Sequence, residues 1–112
     1  MDEPTADLYL ATVELQGRLG LLQPARHMRW LPRSVVTFSV VDEVVRLTAR
    51  TRRTPGVDAS FDHRRRVLVP YGVRSLVGLH PGVRVLVVAM PDEAALALLA
   101  VDRVIASFAG RR

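Results

Sequence analysis

The apolar positions of the chain fall into short runs separated by proline, glycine or pairs of acidic residues. Short runs rich in β-branched and aromatic residues predict strands. The predicted strands cover 8–15, 19–22, 35–41 and 44–48, then 66–69 and 83–90. Segment 96–100 is ambiguous because its alanine and leucine favour a helix, and we interpret it as a further strand.

Three short helices are predicted between and after these strands. Pro24 suits a first helical position, so a helix should run over 24–30 and stop before Pro32. A second helix over 71–77 should end at Gly78, since a glycine there accepts positive φ. A third should cover 102–108, and 110–112 should fray. The acidic pairs 42–43 and 92–93 are interpreted as hairpin turns, and 50–60 as a loop.

The chain repeats this pattern after 48 residues. With that offset Glu14 falls on Asp62, Arg18 on Arg66, and Arg26 on Arg74. Each unit has the order strand, strand, short helix, strand, strand, and a unit this short buries too little surface to fold alone. We therefore predict a first unit at 1–49, an arginine-rich linker at 50–60, and a second unit with a C-terminal tail at 61–112, sharing one core.

Several classes of protein lack support in the sequence. There is no cysteine, and the three histidines show no ligand spacing, so neither a metal nor another cofactor is predicted. The N-terminus is acidic and no apolar run approaches the roughly 20 residues of a membrane span, which indicates a cytoplasmic protein that does not bind membranes. No nucleophile pattern or phosphate loop is present, so an enzyme is not expected.

Positive charge is concentrated near the middle of the chain. All sixteen basic residues are arginine, and residues 49–66 carry six of them against two acids. A GC-rich genome would explain the arginine usage as well as a function would. A local basic patch nevertheless attracts polyanions, and arginine binds phosphate and guanine in ways that lysine does not.

The second unit resembles a known family. The pattern Asp62-x-x-Arg-Arg66-Val-x-Val-Pro70-x-x-x-Arg74-x-x-x-Gly78-Leu-x-Pro-Gly82-x-x-Val resembles the AbrB/MazE/SpoVT group of swapped-hairpin transcription regulators. Two such units in one chain are similar to the MraZ-type layout. The resemblance implies a mainly β fold with short helices (α+β), a swapped-hairpin AbrB-like barrel built from two ββαββ repeats. It also implies a sequence-dependent duplex DNA-binding regulator, associated with the nucleoid.

The first unit departs further from the family pattern than the second. Leu22 stands where the proline belongs, Glu14 replaces the aspartate, and Trp30 stands where Gly78 stands in the second unit. In the second unit, Arg65 occupies a position at which the family prefers glycine. The first unit is therefore expected to close the barrel, with or without reading DNA.

The resemblance places four arginines on the DNA-facing side, and four further arginines near them are candidates. The four are Arg66 and Arg74 first, then Arg18 and Arg26. Arg64 and Arg65 precede Arg66 in a run of three arginines. Alternation along a strand would place Arg65 on the face opposite Arg64 and Arg66. Arg52 and Arg53 in the linker would follow a groove or the backbone of the DNA. The alternative is that these arginines are solvated surface charges.

Two other functions fit the same fold. The weakened first motif and the apolar segment 94–108 would suit a protein-interaction module, either an antitoxin or an assembly adaptor, or pairing with a second copy of the chain. Arg29, Trp30 and Arg33 would suit a single-stranded nucleic-acid binder if a base stacked on the indole. A large aromatic that packs on a small core is the commoner role for such a residue.

Overall fold

Strands cover more of the described chain than helices do. The computed structural model describes residues 7–50 and 55–109. Its strands are β1 Asp7–Thr12, β2 Arg18–Gly20, β3 Val35–Val41, β4 Val44–Ala49, β5 Val57–Ser60, β6 Arg66–Leu68, β7 Arg84–Met90 and β8 Ala95–Ala100. Its α-helices are α1 Leu22–His27, α2 Tyr71–Val77 and α3 Val101–Ala109, and Pro91–Glu93 forms a 3-10 turn. A mainly β fold with short helices (α+β) is thus confirmed.

The predicted elements mostly fall where the apolar pattern puts them. The strand over 35–41, the helix over 71–77 and the strand and helix of the tail are confirmed. The first helix begins earlier and ends earlier than predicted, at Leu22–His27. The loop predicted over 50–60 is wrong for Val57–Ser60, which pairs as β5. Fraying of 110–112 lies outside the described residues.

The strands of the two units are exchanged within one sheet. The large sheet has the order β1-β7-β8-β4-β3-β5, and β2 pairs with β6 in a separate two-stranded ribbon. Strand β5 lies within the predicted linker, and we count it here with the second unit. The first strand of each unit then pairs with the third strand of the other unit: β1 with β7, and β5 with β3. The equivalent strands β4 and β8 pair with each other, as do β2 and β6. The strand order is therefore symmetric about its centre.

The core is common to both units. Its largest fully buried side chains come from both halves of the chain, and they include Phe38, Leu47, Phe61, Leu79 and Leu96. Each unit alone would leave half of this cluster in water, at a cost of roughly 25 cal/mol per Å² of apolar surface. Hydrophobic burial therefore stabilises the exchanged arrangement.

The spacing between equivalent positions changes from 48 to 49 residues at the start of the helices. Leu21 and Val69, 48 apart, donate equivalent backbone hydrogen bonds to Arg65 and Gly17. Beyond them, the first helical bonds, Ala25 N–H to Leu21 carbonyl and Arg74 N–H to Pro70 carbonyl, are 49 apart. Pro70 is thus one extra residue in the second unit, which explains why the first unit has no matching proline.

This shift corrects two predicted equivalences. Arg29, with φ 60°, occupies the left-handed position of Gly78, with φ 73°, so Trp30 matches Leu79 and not Gly78. Ala25, and not Arg26, matches Arg74. The prediction that the two units carry the same pair of arginines is therefore wrong for the helix.

No described helix is both long enough and apolar enough to cross a bilayer.

Two glycines provide a matched test of this backbone. Gly56 precedes β5 with φ 144°, and an added Cβ would overlap the Phe38 carbonyl oxygen and lie 2.8 Å from Cγ2 of Thr37. Gly72 in α2 has nothing within 4 Å of such a Cβ. We expect Gly56→Ala to lower the free energy of unfolding by about 1–3 kcal/mol, because it adds strain at a positive φ.

Gly72→Ala should instead raise that free energy by up to about 1 kcal/mol, since alanine favours a helix over glycine. Urea denaturation of the two variants measures both effects. Equal effects of the two substitutions would contradict the tight packing of Gly56 on β3.

Candidate nucleic-acid interface

The ribbon of β2 and β6 brings the two units side by side. Leu19 pairs with Val67 at its centre, and both side chains are fully buried. Because strand neighbours alternate, the flanking residues face away from the core. These outward residues are Arg18 opposite Leu68, and Gly20 opposite Arg66. The ribbon therefore presents one arginine from each unit, placed diagonally.

Each ribbon strand follows a tight turn of the same shape. We call 14–18 the first turn and 62–66 the second turn. In the first turn, the Glu14 N–H bonds to the Arg18 carbonyl at 2.8 Å, and the Gly17 N–H bonds to the Glu14 carbonyl at 2.8 Å. The second turn repeats both bonds 48 residues later, at 2.9 and 3.1 Å.

Reciprocal backbone bonds tie each turn to the other unit. The Leu21 N–H donates to the Arg65 carbonyl at 3.0 Å, and the Val69 N–H donates to the Gly17 carbonyl at 3.0 Å. Both carbonyls belong to residues with positive φ, which is 86° at Gly17 and 55° at Arg65. The two turns are therefore fixed relative to each other by backbone, independently of their side chains.

Arg65 does not follow strand alternation. The strand begins only at Arg66, so the prediction that Arg65 points to the opposite face of an extended strand from Arg64 and Arg66 rests on the wrong local structure. Arg65 instead lies in the turn, and its Nε donates to the Trp30 carbonyl at 3.4 Å. Its half-buried guanidinium is held against the chain after α1, while Arg64 is exposed.

Two carboxylates neutralise Arg66. Its Nε donates to Oδ2 of Asp62 at 2.8 Å, and its Nη1 lies 3.6 Å from Oε1 of Glu14 in the other turn. The Arg66 side chain is only 31% exposed. Arg66, one of the two arginines ranked first for DNA binding in the sequence analysis, therefore forms a structural link between the two turns.

Asp62 organises the second turn. Its Oδ1 accepts the backbone N–H groups of Arg64 and Arg66, both at 2.8 Å. Burial by itself would raise the pKa of Asp62, but the hydrogen bonds from the backbone and guanidinium of Arg66 and the N–H of Arg64 outweigh it and hold that pKa below its ordinary value. The carboxylate thus stays charged.

Arg18 is differently placed from Arg66. Its Nη1 donates to Oε1 of Gln16 at 3.0 Å, an exposed contact with a neutral side chain. Over residues 7–50 and 55–109 no carboxylate forms a salt bridge with it. Its charge is therefore available on the outer face of the ribbon.

Arg74 crosses from α2 to the first turn. Its guanidinium lies directly on Gly17, where an added Cβ would overlap it, and its Cζ is 5.6 Å from the centre of the Tyr71 ring. Its buried Nε has no hydrogen-bond partner in the part of the chain that the structure describes, while Tyr71 is 76% exposed. Arg26 is exposed in the last turn of α1, and Arg52 and Arg53 lie outside the described residues.

Trp30 belongs to the core. It is 9% exposed, and its ring is tilted against Phe61 with a centroid distance of 6.2 Å. This burial favours the packing interpretation over the stacking of a nucleic-acid base.

Sequence reasoning overlooked three side chains at this site. Leu15 at the tip of the first turn is 90% exposed, Leu68 on the ribbon is 50% exposed, and Gln16 contacts Arg18. The sequence pattern placed Leu15 in the strand predicted over 8–15, so the turn that exposes this side chain is seen only in the structure. The link from Glu14 to Arg66 had no local signal either, since it joins residues of different units.

The acidic pairs lie on other hairpins. Asp42 and Glu43 have φ of 50° and 66° and connect the paired residues Val41 and Val44, which is a two-residue hairpin turn as predicted. Asp92 and Glu93 lie in the 3-10 turn between β7 and β8. Within the described ranges, no three His, Cys, Asp or Glu side chains come together as a metal site would require.

Comparisons with protein-family models and with curated proteins give no match.

The Asp62 network predicts a dependence of stability on pH. We expect Asp62→Asn to lower the free energy of unfolding at pH 7 by about 1 kcal/mol, the upper end for a partly exposed ion pair. The folded-state pKa of Asp62 is lowered, so its stabilisation is present above the unfolded value of about 4 and is lost as pH falls through the folded value.

The difference between the wild type and Asp62→Asn should therefore shrink below about pH 4. Chemical denaturation followed at pH 7, 5, 4 and 3 measures it. A difference that stays constant down to pH 3 would exclude the carboxylate charge as its cause.

Proposed function

We propose that this protein is a sequence-dependent duplex DNA-binding regulator, similar to the AbrB/MraZ type, with the ribbon and the two turns facing DNA. The observation that carries the proposal is that two arginine-bearing turns, one from each unit, are locked side by side by reciprocal backbone bonds. A nucleoid location would follow from binding DNA. No catalytic step forms part of the proposal.

The strand exchange supports a swapped-hairpin barrel as the scaffold. The edge strands β1 and β5 of the large sheet each lead through a turn into the ribbon, and Val13 after β1 bridges to Leu19 of β2. On this interpretation the ribbon closes the gap between the two sheet edges. In a chain with two units, such a barrel requires the first strand of each unit to pair with the third strand of the other unit, as β1 does with β7 and β5 with β3.

The charge around the ribbon suits a polyanion. The first turn has one carboxylate and one arginine, while the second has one carboxylate and three arginines. Arg74 adds a guanidinium from α2, packed on the first turn. A two-stranded ribbon fits a DNA groove, and arginines along it would contact phosphates and base edges.

Arg18 is expected to contribute more to DNA binding than Arg66. Arg66 would have to release Asp62 or Glu14 to bind a phosphate, at the cost of leaving a carboxylate near DNA. Arg18 and the exposed Arg64 need no such exchange. Both turns would then contact DNA, with one free arginine from each.

Binding to duplex DNA should depend strongly on salt. We expect fluorescence anisotropy with a labelled random duplex to give a log affinity that falls by about 0.9 per neutralised phosphate for each unit of log salt. Arg18→Gln with Arg64→Gln should lower the affinity and reduce that slope by up to about 1.8.

The control is Arg50→Gln with Arg103→Gln, which removes the same number of charges from the residue after β4, where Arg50 is paired with Asp58, and from α3. The control should retain most of the affinity. Equal losses in the two double variants would show that net charge, and not the ribbon, governs binding. Undetectable binding of the wild type at low salt would contradict the proposed function.

Helix α3 favours a second candidate function, the binding of a protein. None of its residues is buried, and Ile105 and Phe108 are 59% and 73% exposed. A cleft of about 310 Å³ separates this helix from the β3–β4 turn. Another copy of the chain, packing helix against helix, would cover these apolar side chains.

If a second copy binds there, Ile105→Asp with Phe108→Asp should halve the mass measured by sedimentation without changing the circular dichroism spectrum. A wild type that sediments as a single chain at high concentration would reject pairing through α3.

A further inference from the structure

We propose that the two turns divide the work of DNA recognition: the first turn reads base edges, the second binds the backbone, and the DNA site is therefore asymmetric. This inference rests on the proposed function and goes beyond it. A scaffold with symmetric strand order would by itself suggest a palindromic site. The side chains on that scaffold break the symmetry.

The first turn carries the chemistry of base recognition. Gln16 and Arg18 are joined by their exposed hydrogen bond, so each orients the other. The remaining guanidinium donors of Arg18 match the acceptors of guanine, and the carboxamide of Gln16 matches adenine. Leu15 and Leu68, exposed beside them, are apolar surfaces that suit the methyl group of thymine.

The second turn carries the chemistry of backbone binding. At the positions of Leu15 and Gln16 it has His63 and Arg64, both exposed. Arg65 is held by the Trp30 carbonyl and Arg66 by two carboxylates, so neither can reach far from the turn. Among the described residues no carboxylate forms a salt bridge with Arg64, which can therefore bind a phosphate, a contact that carries no sequence information.

Glu14 creates the difference between the two ribbon arginines. Its carboxylate lies 3.6 Å from Arg66 across the ribbon and forms no salt bridge with Arg18 of its own turn. Asp62 contacts Arg66 as well, so within residues 7–50 and 55–109 Arg66 has two carboxylate partners and Arg18 has none. The backbone hydrogen bonds of the two turns are equivalent. The asymmetry therefore lies in their side chains and in the DNA contacts that those side chains can make.

The experiment selects sites from random duplex DNA with the wild-type protein and then measures affinity for a panel in which each base pair of the selected site is changed. Leu15→Ala with Gln16→Ala changes no charge. We expect it to keep the salt slope and to lower discrimination at adjacent base pairs by roughly 5- to 150-fold, the range for one good side-chain–base pairing.

The comparison variant is Arg64→Ala. It should weaken binding to every member of the panel by a similar factor, lower the salt slope by about 0.9, and leave the preferred sequence unchanged. Thermal melts of both variants within a few degrees of the wild type would show that the fold is kept.

Other outcomes separate this inference from the proposed function. A selected site that is a palindrome, or a first-turn variant with unchanged preferences, would overturn the division of work while DNA binding stands. A change of preferred sequence in Arg64→Ala would overturn it as well. Failure of the wild type to enrich or bind any duplex would reject both the inference and the function on which it rests.

Discussion

The reciprocal pairing of strands between the two units is the constraint on which the rest of the structure depends. Each first strand lies on the third strand of the other unit, and Val13 and Phe61 continue that pairing through N–H bonds to Val83 and Ser34 at 2.9 and 3.0 Å. A buried backbone donor without a partner would cost on the order of 1–3 kcal/mol. The units must therefore form together or leave these groups unpaired.

This pairing also fixes the positions of the two turns, and so of the side chains that could contact a ligand. The turns after the exchanged strands are held by the Gly17 and Arg65 carbonyls, so their positions do not depend on which side chains they carry. The second turn gains stability from Asp62 and Arg66, but the same ion pair removes the charge of Arg66 from the surface. The guanidinium of Arg66 can therefore either stabilise the turn or bind a ligand, but it cannot do both at once.

The sequence predicted those elements whose signal is local. The β-branched run at 35–41 and the glycine at position 78 define a strand and a helix end by short-range chemistry, and both were found there. Strand β5 was missed because Val57–Ser60 has little apolar pattern and forms only by pairing with β3. The partners of Arg66 were missed because one of them comes from the other unit.

A one-residue change in spacing had the largest effect on the predicted site. Only the backbone bonds reveal that Pro70 is an extra residue, so counting from the motif equated Arg26 with Arg74. The structural counterpart of Arg74 is Ala25, which is fully buried.

A guanidinium nevertheless lies at each junction of turn and helix. At the first turn it comes from Arg74 of α2 and packs on Gly17, which has no side chain to obstruct it. At the second turn it comes from Arg65 of the turn itself and reaches the Trp30 carbonyl beyond α1. Arg74 packed on a glycine at one junction and Arg65 within the turn at the other are thus two solutions for placing a guanidinium beside a turn. A positive φ at residue 65 is the conformational cost of the second solution, since arginine adopts it less readily than glycine.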